Sequence, residues 1–221
     1  MAARDLFAFA LAALQQAFRD NPVLVIRDQH LTPAQQGFFS RQFGPLEEQD
    51  QKNYTHPEDQ DVLILSNEIR PDGTAVGIVD AGDFWHSDSS HKAEPTRATV
   101  LYAVRNPARG GDTEFCNMYM AYEALPEDIK RRIGGLEAIH HVSKTKNPRV
   151  TISPDRPGAK DYYERREGET QEVRQPIVRT HPETGRQALY VSPRFTIGIV
   201  GMDDAEAQPL LDRLFDSFLR Q

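Results

Sequence analysis

The sequence holds a single cysteine, Cys116, in 221 residues. No intrachain disulfide can form, and a zinc site built on several thiolates is excluded. A reducing compartment is the natural reading, and the chain is expected to be cytoplasmic. Long apolar runs are missing as well. The longest, Leu6 to Leu14, falls far short of the roughly 20 residues that span a bilayer. Arg4 ahead of it would suit a signal peptide, but Asp5 before the run and Gln15, Gln16 and Arg19 behind it fit the polar face of a buried amphipathic helix. Basic residues are in deficit, with 26 Lys and Arg against 33 Asp and Glu and a net charge of −7. That balance argues against a protein that holds nucleic acid or an anionic membrane by bulk electrostatics. A small anionic substrate stays allowed, because one buried arginine can hold it whatever the total charge. Core material is not in short supply. Hydrophobic residues make up 38% and there are 14 glycines, which rules out long disorder, and the length fits one domain over residues 1–221.

The first part of the chain reads as helix, strand, helix. Leu6 to Phe18 carries a helical apolar pattern, Asn21-Pro22 breaks it, and Val23-Leu24-Val25-Ile26 is short and β-branched, as a buried strand should be. Thr32 is a natural N-cap, Pro33 suits a first helical turn, Phe39 and Phe43 share a face, and Gly44-Pro45 ends that helix. Short strands follow, over Val62 to Leu65, Ala98 to Ala103, Ile177 to Arg179 and Ala188 to Val191. The last two are joined by the turn-rich Thr180-His181-Pro182-Glu183-Thr184-Gly185 and read as a hairpin. Pro126 to Ile133 and Asp203 to Arg220 read as helices, the second with Leu210, Leu211, Leu214 and Phe218 on one face. The stretch from Lys144 to Gln175 is charged, holds Pro148, Pro154 and Pro157, and has too few apolar residues for a core element, so it is expected to be a lid or insertion. The architecture expected is mainly β with flanking helices, a β-sandwich or jelly roll.

Chemistry centres on histidines. Three His-x-acid triplets occur: His56-Pro57-Glu58, His86-Ser87-Asp88 and His181-Pro182-Glu183. In so acidic a chain chance supplies such triplets, and the pattern by itself decides nothing. Two carry a central proline and read as turn residues. His86 and Asp88 differ, because the flanking residues suit an extended chain entering a loop, where positions two apart face the same side. An imidazole and a carboxylate so placed can both reach one metal, and a distant histidine would complete the triad of non-haem Fe(II) oxygenases. A hydrogen-bonded surface pair is the plainer alternative. The double glycine in Gly110-Gly111-Asp112-Thr113-Glu114-Phe115 implies tight backbone geometry and offers a hydroxyl just after it.

Taken together, the segments resemble the taurine dioxygenase and 2,4-dichlorophenoxyacetate dioxygenase family of Fe(II)/2-oxoglutarate-dependent oxygenases. The resemblance runs through Phe84-Trp85-His86-Ser87-Asp88-Ser89-Ser90, Gly110 to Cys116, Ala121-Tyr122-Glu123-Ala124-Leu125-Pro126, and Val178-Arg179-Thr180-His181-Pro182 on to Ala188-Leu189-Tyr190, in matching order and spacing. It implies a double-stranded β-helix core. It further implies that His86 and Asp88 bind iron, that Thr113 hydrogen-bonds the distal carboxylate of 2-oxoglutarate, and that a small, anionic sulfonate or aryloxyalkanoate is hydroxylated by O2 with succinate and CO2 as coproducts. His56 falls where the taurine enzymes keep a substrate-binding histidine. Homo-oligomers are a family guess; no nucleic acid or membrane partner is implied.

One departure accompanies the match. The family's last metal-ligating histidine and the arginine that clamps 2-oxoglutarate lie in a segment that begins with a Trp-Asp-Asn-Arg-like strand. Trp85 is the only tryptophan here, so no stretch of this sequence matches that segment, and His140, His141 and His181 do not match the third ligand. The expectation is a jelly roll incomplete at its C-terminus, with weak iron binding and little activity on its own. The competing reading is a catalytically inactive fragment or pseudoenzyme scaffold of the same fold.

Overall fold

The computed structural model describes residues 3–78, 81–82, 84–142, 144 and 171–219. The chain divides into two compact units, Met1–Ile78 with Arg97–Asn106, and Val79–Thr96 with Pro107–Gln221.

The first unit is built on local signals. Helix α1 (Ala3–Asp20) is the amphipathic helix expected from the apolar run. Helix α2 (Pro33–Ser40) starts at a complete capping box: the Thr32 hydroxyl accepts from the Gln35 N–H, and the Gln35 side chain accepts from the Thr32 N–H. A single 3-10 turn (Arg41–Phe43) extends it, with Phe43 edge-on to Phe39 at 5.4 Å and to Phe18 at 5.7 Å. Strands β1 (Thr55–His56) and β2 (Asp59–Leu63) form a small antiparallel ladder, so the strand expected at Val62 to Leu65 is observed displaced toward the N-terminus. Val23 to Ile26 and Ala98 to Ala103 are not strands. Their β-branched residues favour a pleated, half-buried surface, but no ladder partner among the described residues supplies one, and Val25 stays 72% exposed and Leu101 64%. The Ala98–Ala103 stretch is tied down by side chains instead: the Gln36 amide donates to the Val100 carbonyl, and the Tyr102 hydroxyl bonds the Leu31 N–H and the Gln29 carbonyl.

The second unit holds the core. Strand β3 (Glu137–His140) is the centre of a three-stranded antiparallel sheet between β4 (Val173–Pro176) and β7 (Thr196–Ile199), with Ala138 opposite Gln175 on one side and Ile199 on the other. Part of the expected Lys144–Gln175 loop is therefore sheet: Val173 to Gln175 pair with β3, and Gln175 is buried, because an adjacent strand compensates for weak local propensity. Residues 145–170 of that stretch lie outside the described residues. Strands β5 (Val178–Thr180) and β6 (Gln187–Leu189) form the expected hairpin, Arg179 opposite Ala188. Two short helices, α3 (Met118–Glu123) and α4 (Glu127–Ile133), and the long α5 (Asp204–Leu219) complete the unit. Leu210, Leu211, Leu214, Phe215 and Phe218 of α5 recur at helical spacing and are sealed against Ala121, Ile129, Ile133, Ala138, Ile177 and Ile199. This block is the packed floor on which the histidine loop lies.

Candidate active site

The segment 84–92 is anchored at four points within the second unit. At its start, the Arg194 guanidinium lies 5.3 Å from the Phe84 ring centroid and 5.0 Å from that of Phe195. Next, the half-buried Tyr190 turns its hydroxyl toward Ser87 and carries the Arg179 guanidinium on its ring at 4.7 Å. Then Ser90, fully buried, meets His140 Nδ1 at 3.1 Å. Finally, the buried Gln175 side chain donates to the Lys92 carbonyl at 2.8 Å. Between the anchors Ser89 adopts a left-handed conformation, φ 56°, which reverses the chain just after Asp88 and drives Ser90 inward. A non-glycine residue there costs on the order of 1 kcal/mol and persists only where its surroundings enforce it.

His86 and Asp88 face each other on this loop. His86 Nδ1 sits 2.8 Å from the Phe84 carbonyl oxygen, so that nitrogen carries the hydrogen and donates, and Nε2 faces Asp88 Oδ1 at 3.1 Å. The hydrogen bond that the protonated imidazole donates to the Asp88 carboxylate holds the His86 pKa above the ordinary histidine value, and burial opposes that shift. A divalent cation in place of the shared proton would meet one imidazole nitrogen and one carboxylate oxygen, donors that Fe(II) accepts, with the backbone carbonyl fixing the imidazole tautomer. The pair thus fits an iron centre as two of its protein ligands. Among the described residues no group of three or more His, Cys, Asp or Glu side chains is placed to hold a metal.

A cavity of about 310 Å³ opens beside the pair. His86, Ser87 and Ser90 line one side; Trp85, Phe115, Met118, Leu189, Val191 and Phe218 make most of the wall apolar, and His140, Tyr190 and Cys116 also reach it. Burial raises the Cys116 pKa, so the thiol is kept protonated and is a wall residue rather than a nucleophile.

The other expected residues are placed differently. Thr113 follows Gly110 and Gly111, whose φ angles of 72° and 75° bear out the tight turn. No strand forms there; Thr113 is exposed, while its successors Glu114, Phe115 and Cys116 line the cavity. His56 belongs to the first unit, and its Nδ1 accepts from the Glu58 N–H at 3.2 Å, closing a turn. His181 does the same for Glu183 and Thr184, both at 3.3 Å. The proline-containing triplets are turn-makers, as their composition suggests. Sequence reasoning passed over His140, Tyr190 and Arg194 as site residues. The alternation of buried Ala138 and His140 in a four-residue extended run was the available signal for the first. No comparable signal marks Arg194 in Ser192-Pro193-Arg194-Phe195, which reads as a loop.

Comparison with known proteins agrees with this geometry. An (S)-phenoxypropionate/alpha-ketoglutarate-dioxygenase of Sphingobium herbicidovorans is 36% identical over 214 residues, covering 92% of this chain and 68% of the relative. An alpha-ketoglutarate-dependent 2,4-dichlorophenoxyacetate dioxygenase of Cupriavidus pinatubonensis is 34% identical, covering 92% and 71%. Among solved structures, a taurine dioxygenase from Burkholderia xenovorans superposes with a TM-score of 0.63 at 28% identity, covering 94% of this chain and 63% of that one. AAD-2 in complex with Mn(II) and N-oxalylglycine gives 0.64 at 26% identity, covering 95% and 69%. The chain spans about two thirds of the length of these relatives. The fold is the jelly roll of these dioxygenases with flanking helices, its sheets short here. Residues 4–220 match the model of one family, so the chain belongs to the taurine catabolism dioxygenase TauD, TfdA family.

Proposed function

We propose that this chain is an Fe(II)- and 2-oxoglutarate-dependent dioxygenase that hydroxylates a small anionic organic substrate of the aryloxyalkanoate or sulfonate type, releasing succinate and CO2. The juxtaposition of His86 Nε2 and Asp88 Oδ1 beside a largely apolar cavity carries this reading, in a chain of this family. Bound iron would supply the activation of O2 coupled to oxidative decarboxylation of 2-oxoglutarate. The protein's own part is to present the two ligands beside an apolar surface. The Phe84 carbonyl holds the imidazole so that Nε2 stays available, and Trp85, Phe115, Leu189 and Val191 supply an apolar wall for the carbon skeleton of a substrate. Thr113 is assigned to the distal carboxylate of 2-oxoglutarate, for which its exposed hydroxyl is accessible. His56 is assigned to the substrate anion through Nε2, its Nδ1 being engaged by Glu58. Both units are read as one oxygenase domain working in the cytoplasm on small molecules and O2, without nucleic acid, as a monomer or homo-oligomer. Among the described residues no helix is long and apolar enough to cross a membrane. The dioxygenase names of the relatives favour this reading over an inactive scaffold.

The test is an anaerobic Fe(II) titration of the 221-residue chain, of His86→Ala and of Asp88→Ala, followed by succinate measurement in air with phenoxyacetate, phenoxypropionate and taurine. Iron binding lost in both variants, with succinate formed on an anionic substrate, supports the assignment. Equal iron uptake by all three proteins, and no succinate with saturating iron and 2-oxoglutarate, would sink it.

A further inference from the structure

Two of the contacts between the metal-site loop and the rest of the unit run through His140 and Tyr190, whose rings stack on each other. His140, at the end of β3, is 1% exposed, and its Nδ1 is 3.1 Å from Ser90 Oγ. Its Nε2 is 3.4 Å from Thr196 Oγ1, which itself accepts from the Ser192 N–H at 3.0 Å. Both ring nitrogens of His140 therefore face a hydroxyl, Ser90 Oγ at Nδ1 and Thr196 Oγ1 at Nε2, and a hydroxyl can donate or accept, so a neutral ring is satisfied at both ends. Tyr190, next to β6, lies nearly parallel to the His140 ring, centroids 6.0 Å apart and planes at 23°, and its hydroxyl reaches Ser87. Arg179 rests on the Tyr190 ring at 4.7 Å. Ser87 directly precedes Asp88 and Ser90 follows it by two residues.

We propose that His140 and Tyr190 are a stacked positioning pair that grips Ser87 and Ser90 on either side of Asp88 and so holds the His86 and Asp88 donor atoms on one point. Neither residue touches the metal in this proposal, which rests on the metal reading above. Three features distinguish the pair from ordinary core packing. It spends a buried hydrogen bond, His140 to Ser90, on a loop that carries a left-handed serine. It reaches that loop from the end of β3 and from the residue that follows β6, through rings that stack on each other. Both rings also line the cavity beside His86. Burial pushes the His140 pKa down to about 4, so at neutral pH the ring is uncharged.

The experiment measures two things on the full chain. Mn(II) affinity is followed from the spin-resonance signal of the free ion, and amide hydrogen exchange is followed across residues 86–90. His140→Leu and Tyr190→Phe should each weaken Mn(II) binding by about ten-fold or more and speed exchange in the loop, the range seen when groups behind metal ligands are removed. His140→Asn, whose amide can still donate toward Ser90, should recover most of both. Ile133→Val is the control, since it loosens the core without touching the loop. Should His140→Leu and Tyr190→Phe behave like Ile133→Val in both readouts, the positioning proposal is overturned. If wild type and His86→Ala take up Mn(II) alike, the metal reading fails instead, and the exchange data alone then decide whether the pair holds the loop.

Discussion

The two units of this chain use the same kinds of apolar residue with opposite results. In Val79–Thr96 with Pro107–Gln221, leucines, isoleucines and phenylalanines from α4, α5 and β7 are sealed from water. In Met1–Ile78 with Arg97–Asn106, only Gly37, Ala75, Gly77 and Ile78 are buried among the described residues, while Phe9, Val25, Leu101 and Val104 are each more than 60% exposed. Hydrophobic composition therefore does not make a core; a partner surface does. Strand β4 carries Arg and Gln yet forms because β3 offers its edge, whereas the β-branched Val23 to Ile26 forms no strand for want of one.

The sharpest way to break this contrast is to truncate one leucine in each unit. Leu214, 0% exposed on α5, should cost about 2–5 kcal/mol on replacement by alanine, the sum of lost transfer energy and residual cavity. Leu101→Ala should shift stability by less than about 0.5 kcal/mol. Urea unfolding followed by far-UV circular dichroism reads both. A Leu101→Ala loss comparable to that of Leu214→Ala would mean that the first unit's apolar surface is covered in solution.

The second prediction separates the units by pH. His140 has a folded pKa of about 4 against 6.5 when unperturbed, driven first by burial and then by the neighbouring charge of His91. The unfolded chain then binds more protons between those values, so stability is fully present above pH 6.5 and is lost as pH falls toward 4, by on the order of 3 kcal/mol. His86 is shifted the other way, so its contribution is present at low pH and is lost as pH rises through its raised pKa. Denaturant midpoints from pH 7 to pH 4 should fall steeply for wild type and less for His140→Asn. Equal slopes would mean that His140 is solvated and that the second unit is looser than its core suggests.

A third variant probes a tight spot of the first unit. At Gly77 a methyl group would lie 2.5 Å from the Ile64 carbonyl oxygen, and that oxygen accepts from the Ile78 N–H at 2.9 Å. Backbone cannot step aside as a long side chain can, so Gly77→Ala should cost about 1–3 kcal/mol through overpacking. Gly37→Ala meets only the flexible ends of Asp59 and Arg41 and should cost less. Thermal melts of the two variants rank them, and the reverse order would show that the Ile64–Ile78 pairing opens readily.

What could be read in the sequence follows from how far apart the causes lie. The Thr32 cap, the helix ending at Ile133, the hairpin around His181 and the facing of His86 on Asp88 depend on residues within a few positions, and all were legible. Strands β3, β4 and β7 depend on one another across dozens of residues, and so does the grip of His140 on Ser90, 50 positions away. No local pattern encodes such pairings. Thr113 shows the same limit: its glycines announce a turn, but whether the next residues become a strand depends on a partner that the turn does not specify.

The smallest effect tests the claim that the first unit stands on local structure. If α2 is held by its cap more than by burial, removing the cap should be felt almost undiluted, whereas in a core-packed helix tertiary contacts would absorb part of the loss. Thr32→Ala deletes the hydroxyl that accepts from Gln35 N–H and breaks the reciprocal box, for an expected cost of about 1 kcal/mol. Thr32→Asp keeps an acceptor at the same position and adds charge at the helix N-terminus, so it should restore the loss in full. Amide exchange in residues 33–40 reads the local effect directly, and the α5 amides serve as the reference because they belong to the packed unit. Faster exchange in α2 with α5 unchanged is the outcome that local control requires. Faster exchange in both helices would mean that the two units unfold as one, and the contrast between them would then describe packing density without describing independent stability.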